Sequence, residues 1–160
     1  MVDEGMLKLD VGGVESLIKE KNLLFEELAK TEGRIIEGVR DFLQLLKQNN
    51  IPMAICSGAL RTEIELILEE ARLRSLFEVI VSADQVRKGK PDPEGFILTL
   101  KKLNQKSSNS IAGSQCVVIE DSHWGLEAAK AAGMHTIAVT NSYDAEQLAS
   151  AEKIVTHLDE

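Results

Sequence analysis

The amino-acid sequence predicts an α/β protein, a parallel sheet with helices on both faces. Three observations lead there. Strand-length apolar runs at residues 51–56, 77–81, 116–119 and 135–139 alternate with segments of helical period. Such alternation builds parallel sheets, because crossover helices must join successive parallel strands. Two of the runs also end in residues capable of chemistry, Ser57-Gly58 and Glu120-Asp121. In open α/β sheets, ligands bind beyond the carboxyl ends of strands.

Each element follows from a local pattern. Residues 14–30 are helical, with Leu17, Ile18, Leu24, Phe25 and Leu28 on one stripe and Gly33 at the end. A second helix starts after Gly38, carries Val39, Phe42, Leu43 and Leu46 on one face, and stops at Asn49-Asn50. The strand at 51–56 leaves through Ser57-Gly58 into a third helix, from about Leu60 to Ala71, with Ile64, Ile67, Leu68 and Ala71 inward. Residues 77–81 form the next strand. Residues 87–95, RKGKPDPEG, form a loop by their Gly and Pro content. Pro93 suits the first turn of the helix that follows, through Leu103. The Ser-rich stretch 104–115 reads as a flexible surface loop. A strand at 116–119, a helix at 125–132 closed by Gly133, a strand at 135–139, a short helix at 144–149 and a final strand at 154–155 complete the chain.

Bulk properties exclude some classes of function. A length of 160 residues fits one domain with a small appendage, and a net charge of −8 argues against a nucleic-acid partner. An anionic substrate stays open, since a local pocket can be positive on an acidic protein. No apolar run approaches the roughly 20 residues of a membrane span, and the acidic start lacks the basic and apolar regions of a signal peptide. The cysteines, Cys56 and Cys116, each sit in an apolar run, which suits free thiols in a reducing cytoplasm.

Three clusters carry candidate chemistry. Glu120 and Asp121 are hard oxygen donors at a strand end, suited to Mg²⁺, although an acidic pair there also serves as a helix cap. Ser57 and Gly58 enter a helix whose free N–H groups suit a phosphate, although Ser57 as a plain N-cap is the simpler alternative. Lys90, between Gly89 and Pro91, is a candidate point charge for a phosphate, with Arg87 and Lys88 as alternatives. His123, His135 and His157 lack metal-ligand spacing, and Trp124 reads as packing.

Together, in this order, the three clusters resemble the haloacid dehalogenase-like superfamily, and within it the phosphoglucomutase-like phosphatases. The segment EGVRDFLQLLKQNNIPMAICSGA looks like the family's second motif, ending at Ser57. KGKPDPEGF looks like the third, with Lys90 at the lysine position, and VVIEDSHWGLEAAKAAGM like the fourth, with Glu120 and Asp121 at the metal positions. The resemblance implies a three-layer Rossmann-like core over residues 34–160, with residues 1–33 the remnant of a helical cap. It implies a Mg²⁺-dependent phosphatase or phosphomutase acting on a small phosphorylated metabolite through an aspartyl-phosphate. In that scheme Ser57 and Gly58 hold phosphate oxygens, Lys90 is catalytic and pairs with them, and Asp121 with Glu120 holds the metal.

The family's first motif, Asp-x-Asp-Gly-Thr, is not in this sequence. Either Asp10, in Asp10-Val11-Gly12-Gly13, is a degenerate nucleophile on a strand from Met6, or the first central strand and most of the cap are missing; Lys8 inside such a strand favours the second reading. The missing strand would lie between the strands ending at Ser57 and Ile119. Two unpaired edges would then face each other, favouring self-association or a complementary chain. The expectation is a truncated enzyme, or a non-catalytic remnant that binds phosphate or a protein partner.

Overall fold

The computed structural model describes residues 11–107 and 109–158. The chain divides into two compact units, one reaching to Arg34 and the other starting at Ile35. In the described part, the first unit is one helix, α1 (Val11–Thr31). Four members of its apolar stripe, Leu17, Ile18, Leu24 and Leu28, are exposed. Asp10 and the possible strand from Met6 lie outside the described residues.

The second unit is the α/β core. Its elements in order are α2 (Val39–Gln48), β1 (Ala54–Cys56), α3 (Arg61–Glu70), β2 (Val79–Val81), α4 (Glu94–Lys106), β3 (Val117–Glu120), α5 (His123–Ala131), β4 (His135–Val139) and β5 (Lys153–Val155). All the strand pairs are parallel, as the alternation of elements requires. The strands form two sheets, however: β1 pairs with β2, and β3, β4 and β5 form a second sheet with β4 in the middle. No ladder among the described residues joins β1 to β3, so both are edge strands.

Helix α4 packs on β1 and β2 and also touches α5, which lies over β3 and β4. Phe96 of α4, Val118 of β3 and Ala128 and Ala129 of α5 share one apolar cluster, with Cys56 of β1 against it. A second cluster joins Ile64 and Leu68 of α3 to Ile80 of β2, with Leu43 of α2 packed on it. A third gathers Leu126, Ala138 and Leu148. Strand β3 is covered on one face only: Val118 is buried, but Val117 is 58% and Ile119 38% exposed.

Several expected details differ. Ile67 of α3 is exposed, because the buried face turns instead through Glu63, Ile64 and Leu68. Pro93 is the N-cap of α4, one position before its first turn, and the helix continues to Lys106. The stretch after it is tied rather than loose: Asn104 accepts from the Ile111 N–H at 2.8 Å and donates to the Ile111 carbonyl at 2.9 Å. Residues 144–149 form turns closed by bonds such as Gln147 N–H to the Asp144 carbonyl, not a helix.

Candidate active site

The carboxyl ends of β1 and β3 face one cavity of about 500 Å³. Its lining includes Ser57 and Gly58 after β1, Lys90 from the β2–α4 loop, and Glu120, Asp121 and Ser122 after β3. Residues separated by more than 60 positions thus meet, because parallel strands deliver all their exit turns to one edge.

Ser57 does not cap α3. The cap position is Leu60, whose N–H donates to the Glu63 carboxylate at 2.9 Å. The Ser57 hydroxyl oxygen accepts from Ala59 N–H at 3.1 Å, and Arg61 N–H donates to Asp84 at 3.2 Å. The Leu60 and Arg61 N–H groups at the start of α3 are therefore engaged by carboxylates of the protein. Gly58 N–H has no partner among the described residues and, with the Ser57 hydroxyl, is the donor left facing the cavity.

The loop that carries Lys90 is braced from within. Glu94, the first residue of α4, accepts from the N–H groups of Arg87 at 3.0 Å and Lys88 at 3.1 Å. Asp92 accepts from Glu94 N–H at 3.0 Å and pairs with Lys88, whose ammonium stays in solvent. Lys90 instead turns inward. Its ammonium lies over the Phe96 ring, with Nζ 5.1 Å from the centroid, and donates to Glu120 Oε1. The Lys90–Pro91 peptide bond is cis.

Glu120 is mostly buried, and both its oxygens are engaged. Oε1 accepts from Lys90, and Oε2 accepts from the Ser122 hydroxyl at 3.1 Å. Ser122, not Asp121, caps α5, accepting from Gly125 N–H at 3.1 Å. The reading of the acidic pair as a cap therefore fails. Gly125 must be glycine, since a Cβ there would overlap the Glu120 carboxylate. Asp121 stands apart, with Oδ2 accepting from the Ser142 hydroxyl at 2.5 Å and Oδ1 without a partner among the described residues.

Burial against Phe96 and Val118 pushes the Cys56 thiol above its ordinary pKa, and the nearby Lys90 only partly offsets this. Cys116 is raised by burial as well, and both thiols are free. No group of three or more His, Cys, Asp or Glu side chains among the described residues is placed to hold a metal by itself. Sequence reasoning missed Ser122 and Ser142, which bond to the carboxylates, and Asn141 and His157, which line the cavity. Ser122 carries a local signal, a serine directly before a helix, whereas no local pattern marks Ser142, Asn141 and His157, which reach the site from other strand ends.

Fold and arrangement define a class, a parallel α/β domain with a polar pocket at its strand ends. The chain belongs to the haloacid dehalogenase-like hydrolase family, whose model matches residues 3–133. It is 33% identical over 147 residues to the chloroplastic 5-amino-6-(5-phospho-D-ribitylamino)uracil phosphatase of Arabidopsis thaliana, covering 92% of this chain and 38% of that one. It is 38% identical over 119 residues to a phosphorylated carbohydrates phosphatase of Thermotoga maritima, covering 74% and 50% respectively. Among solved structures, the β-phosphoglucomutase of Clostridium difficile superposes with a TM-score of 0.77 at 25% identity, over 94% of this chain and 64% of that one. The chain thus spans half or less of the length of these two curated relatives.

Proposed function

We propose that this chain forms the phosphate- and metal-binding part of a phosphatase or phosphomutase acting on a small phosphorylated metabolite. The observation that carries this reading is the meeting of Ser57, Gly58, Lys90 and Asp121 around one cavity. The Ser57 hydroxyl and Gly58 N–H supply donors to phosphate oxygens. Lys90 supplies a cation whose position is fixed by Glu120 on one side and Phe96 on the other.

The donor set fits Mg²⁺, which takes one or two carboxylates and completes its shell with water and substrate phosphate. Asp121 would hold it through the open Oδ1. Glu120, engaged at both oxygens, serves better to position Lys90 than to ligate metal. When bound, Mg²⁺ would offset charge on the phosphoryl oxygens. By family likeness an aspartate attacks phosphorus while the P–O bond to the alcohol breaks. None of the described residues is placed as that nucleophile. The α1 unit fits the role of a cap remnant, which is the domain assignment we favour.

The test has two arms. Trp124, the single tryptophan, lies three residues beyond Asp121 and reports on the site by fluorescence. Inorganic phosphate with Mg²⁺ is expected to change its emission saturably. Lys90→Ala and Asp121→Asn are each expected to weaken binding about tenfold or more, the loss of one charge-assisted contact. In the second arm, hydrolysis of p-nitrophenyl phosphate with Mg²⁺ is expected to be absent or very low. Turnover that disappears on Asp10→Asn would instead make Asp10 the nucleophile. Absence of phosphate binding by the wild-type chain would defeat the proposal.

The open edges of β1 and β3 favour a second reading, a non-catalytic domain that binds a partner through its unfilled sheet.

A further inference from the structure

We propose that the ring cluster of His123, Trp124 and Tyr143 is a clamp that positions Asp121, by holding the turn after β4 so that Ser142 stays on the Asp121 carboxylate. The inference rests on reading Asp121 as a site carboxylate. Strands β3 and β4 run parallel with Glu120 opposite Ala138, so their exit turns leave side by side. The turn after β4 bends back at once, with Asn141 N–H donating to the Val139 carbonyl at 2.8 Å. That bend brings the Ser142 hydroxyl to Asp121 Oδ2.

Asn141 and Ser142 are both exposed, so the backbone bond alone is a weak reason for Ser142 to remain in place. The next residue supplies the stronger one. The Tyr143 ring stands edge-on to His123, with centroids 5.2 Å apart at 83°, and edge-on to Trp124, at 6.3 Å and 88°. His123 and Trp124 lie against each other with centroids 4.0 Å apart and planes tilted by 39°. The two edge-on contacts of Tyr143 are a favoured geometry for aromatic pairs. Tyr143 also packs on the cluster of Leu126, Ala138 and Leu148, so one ring joins the core to the first turn of α5.

Asp121 is thus bracketed. In its own turn after β3, Ser122 fixes the chain by capping α5 and bonding Glu120. In the neighbouring turn after β4, the rings set where Ser142 lies. With Oδ2 pinned, the carboxylate plane is fixed and Oδ1 is presented outward. Groups that orient a ligating carboxylate typically change metal affinity by about tenfold or more when removed.

The test uses the full chain and reads the side-chain carboxyl ¹³C signal of Asp121, assigned by its loss in Asp121→Asn. Ser142→Ala is expected to shift this signal. Tyr143→Ala is expected to shift it in the same direction, and Tyr143→Phe, which keeps the ring, is expected to leave it in place. Trp124→Ala, at a half-exposed position outside the buried clusters, covers the case in which Tyr143→Ala fails to fold, and is expected to give a smaller shift of the same sign. Mn²⁺ titration followed by electron paramagnetic resonance is the second readout, with affinity falling about tenfold in Ser142→Ala and in Tyr143→Ala alike.

An unmoved Asp121 signal in Tyr143→Ala, or in Trp124→Ala where Tyr143→Ala does not fold, overturns the clamp. So does an unmoved signal in Ser142→Ala. A shift in Tyr143→Phe equal to that in Tyr143→Ala would assign the effect to the hydroxyl and overturn the ring mechanism. A wild-type chain that takes up no Mn²⁺ while the carboxyl shifts behave as stated would remove Asp121 as a ligand yet support the clamp.

Discussion

Single residues decide the geometry of this site, and two of them lend themselves to direct measurement. Gly125 sits where any Cβ meets the Glu120 carboxylate. In Gly125→Ala the carboxylate must rotate out, releasing Lys90 and Ser122 together. Overpacking of this kind costs about 1–3 kcal/mol, and the loss is expected in denaturant titration together with weaker phosphate binding. Unchanged stability and binding would mean that Glu120 has room to move. Cys56 gives a pH dependence. Burial raises its folded-state pKa, so as pH rises past the ordinary thiol value the unfolded chain loses its proton first. The unfolded state then binds fewer protons than the native one, and stability falls with rising pH. Denaturation midpoints are expected to decline in mildly alkaline buffer, and Cys56→Ala is expected to flatten that part of the decline. Wild-type and variant curves of equal slope would contradict the buried-thiol account.

The elements differ in how much holds them. Helix α1 exposes Leu17, Ile18, Leu24 and Leu28, whereas α5 buries Leu126, Ala128 and Ala129 completely. Isolated helices are marginal in water, and tertiary packing supplies most of a helix's stability. The chain beginning at Ile35 is therefore expected to keep the cooperative unfolding of the full chain, with a midpoint close to it in thermal denaturation followed by circular dichroism. Loss of the cooperative transition would show that α1 is needed for folding. Local signals placed α2, α4 and α5 to within a few residues: an apolar face and an Asn-Asn stop for α2, Pro93 at the start of α4, and Gly133 at the end of α5. Periodicity misjudged Ile67, since Glu63 turns inward to accept Leu60 N–H and rotates the buried face. It made a helix of residues 144–149, where Leu148 is held by the core and the backbone closes only local turns. Ser57, Glu120 and Asp121 were legible because strand ends in a parallel sheet share one edge, and Lys90 because it sits between Gly89 and Pro91. Ser142 and Tyr143 were not, because their partners lie some 20 positions away and follow no spacing rule.

At the scale of the molecule, the decisive feature is the division into two parallel sheets. Strands β1 and β3 each offer a row of backbone donors and acceptors unpaired among the described residues. Beside that edge Val117 and Ile119 leave apolar surface in solvent. Open edges of this kind pair with other chains unless charge or covering prevents it. Sedimentation velocity is expected to show association that grows with protein concentration, and Ile119→Lys is expected to reduce it severalfold. A chain that stays monomeric at high micromolar concentration would count against the partner-binding reading.

Because no backbone ladder among the described residues crosses from one half of the core to the other, the Lys90–Glu120 contact is more than an arrangement for handling an anion. It is a polar rivet between the half that carries the β2–α4 loop and the half that carries β3. Chemistry and cohesion therefore share one pair of side chains, and natural change at either position is constrained twice over.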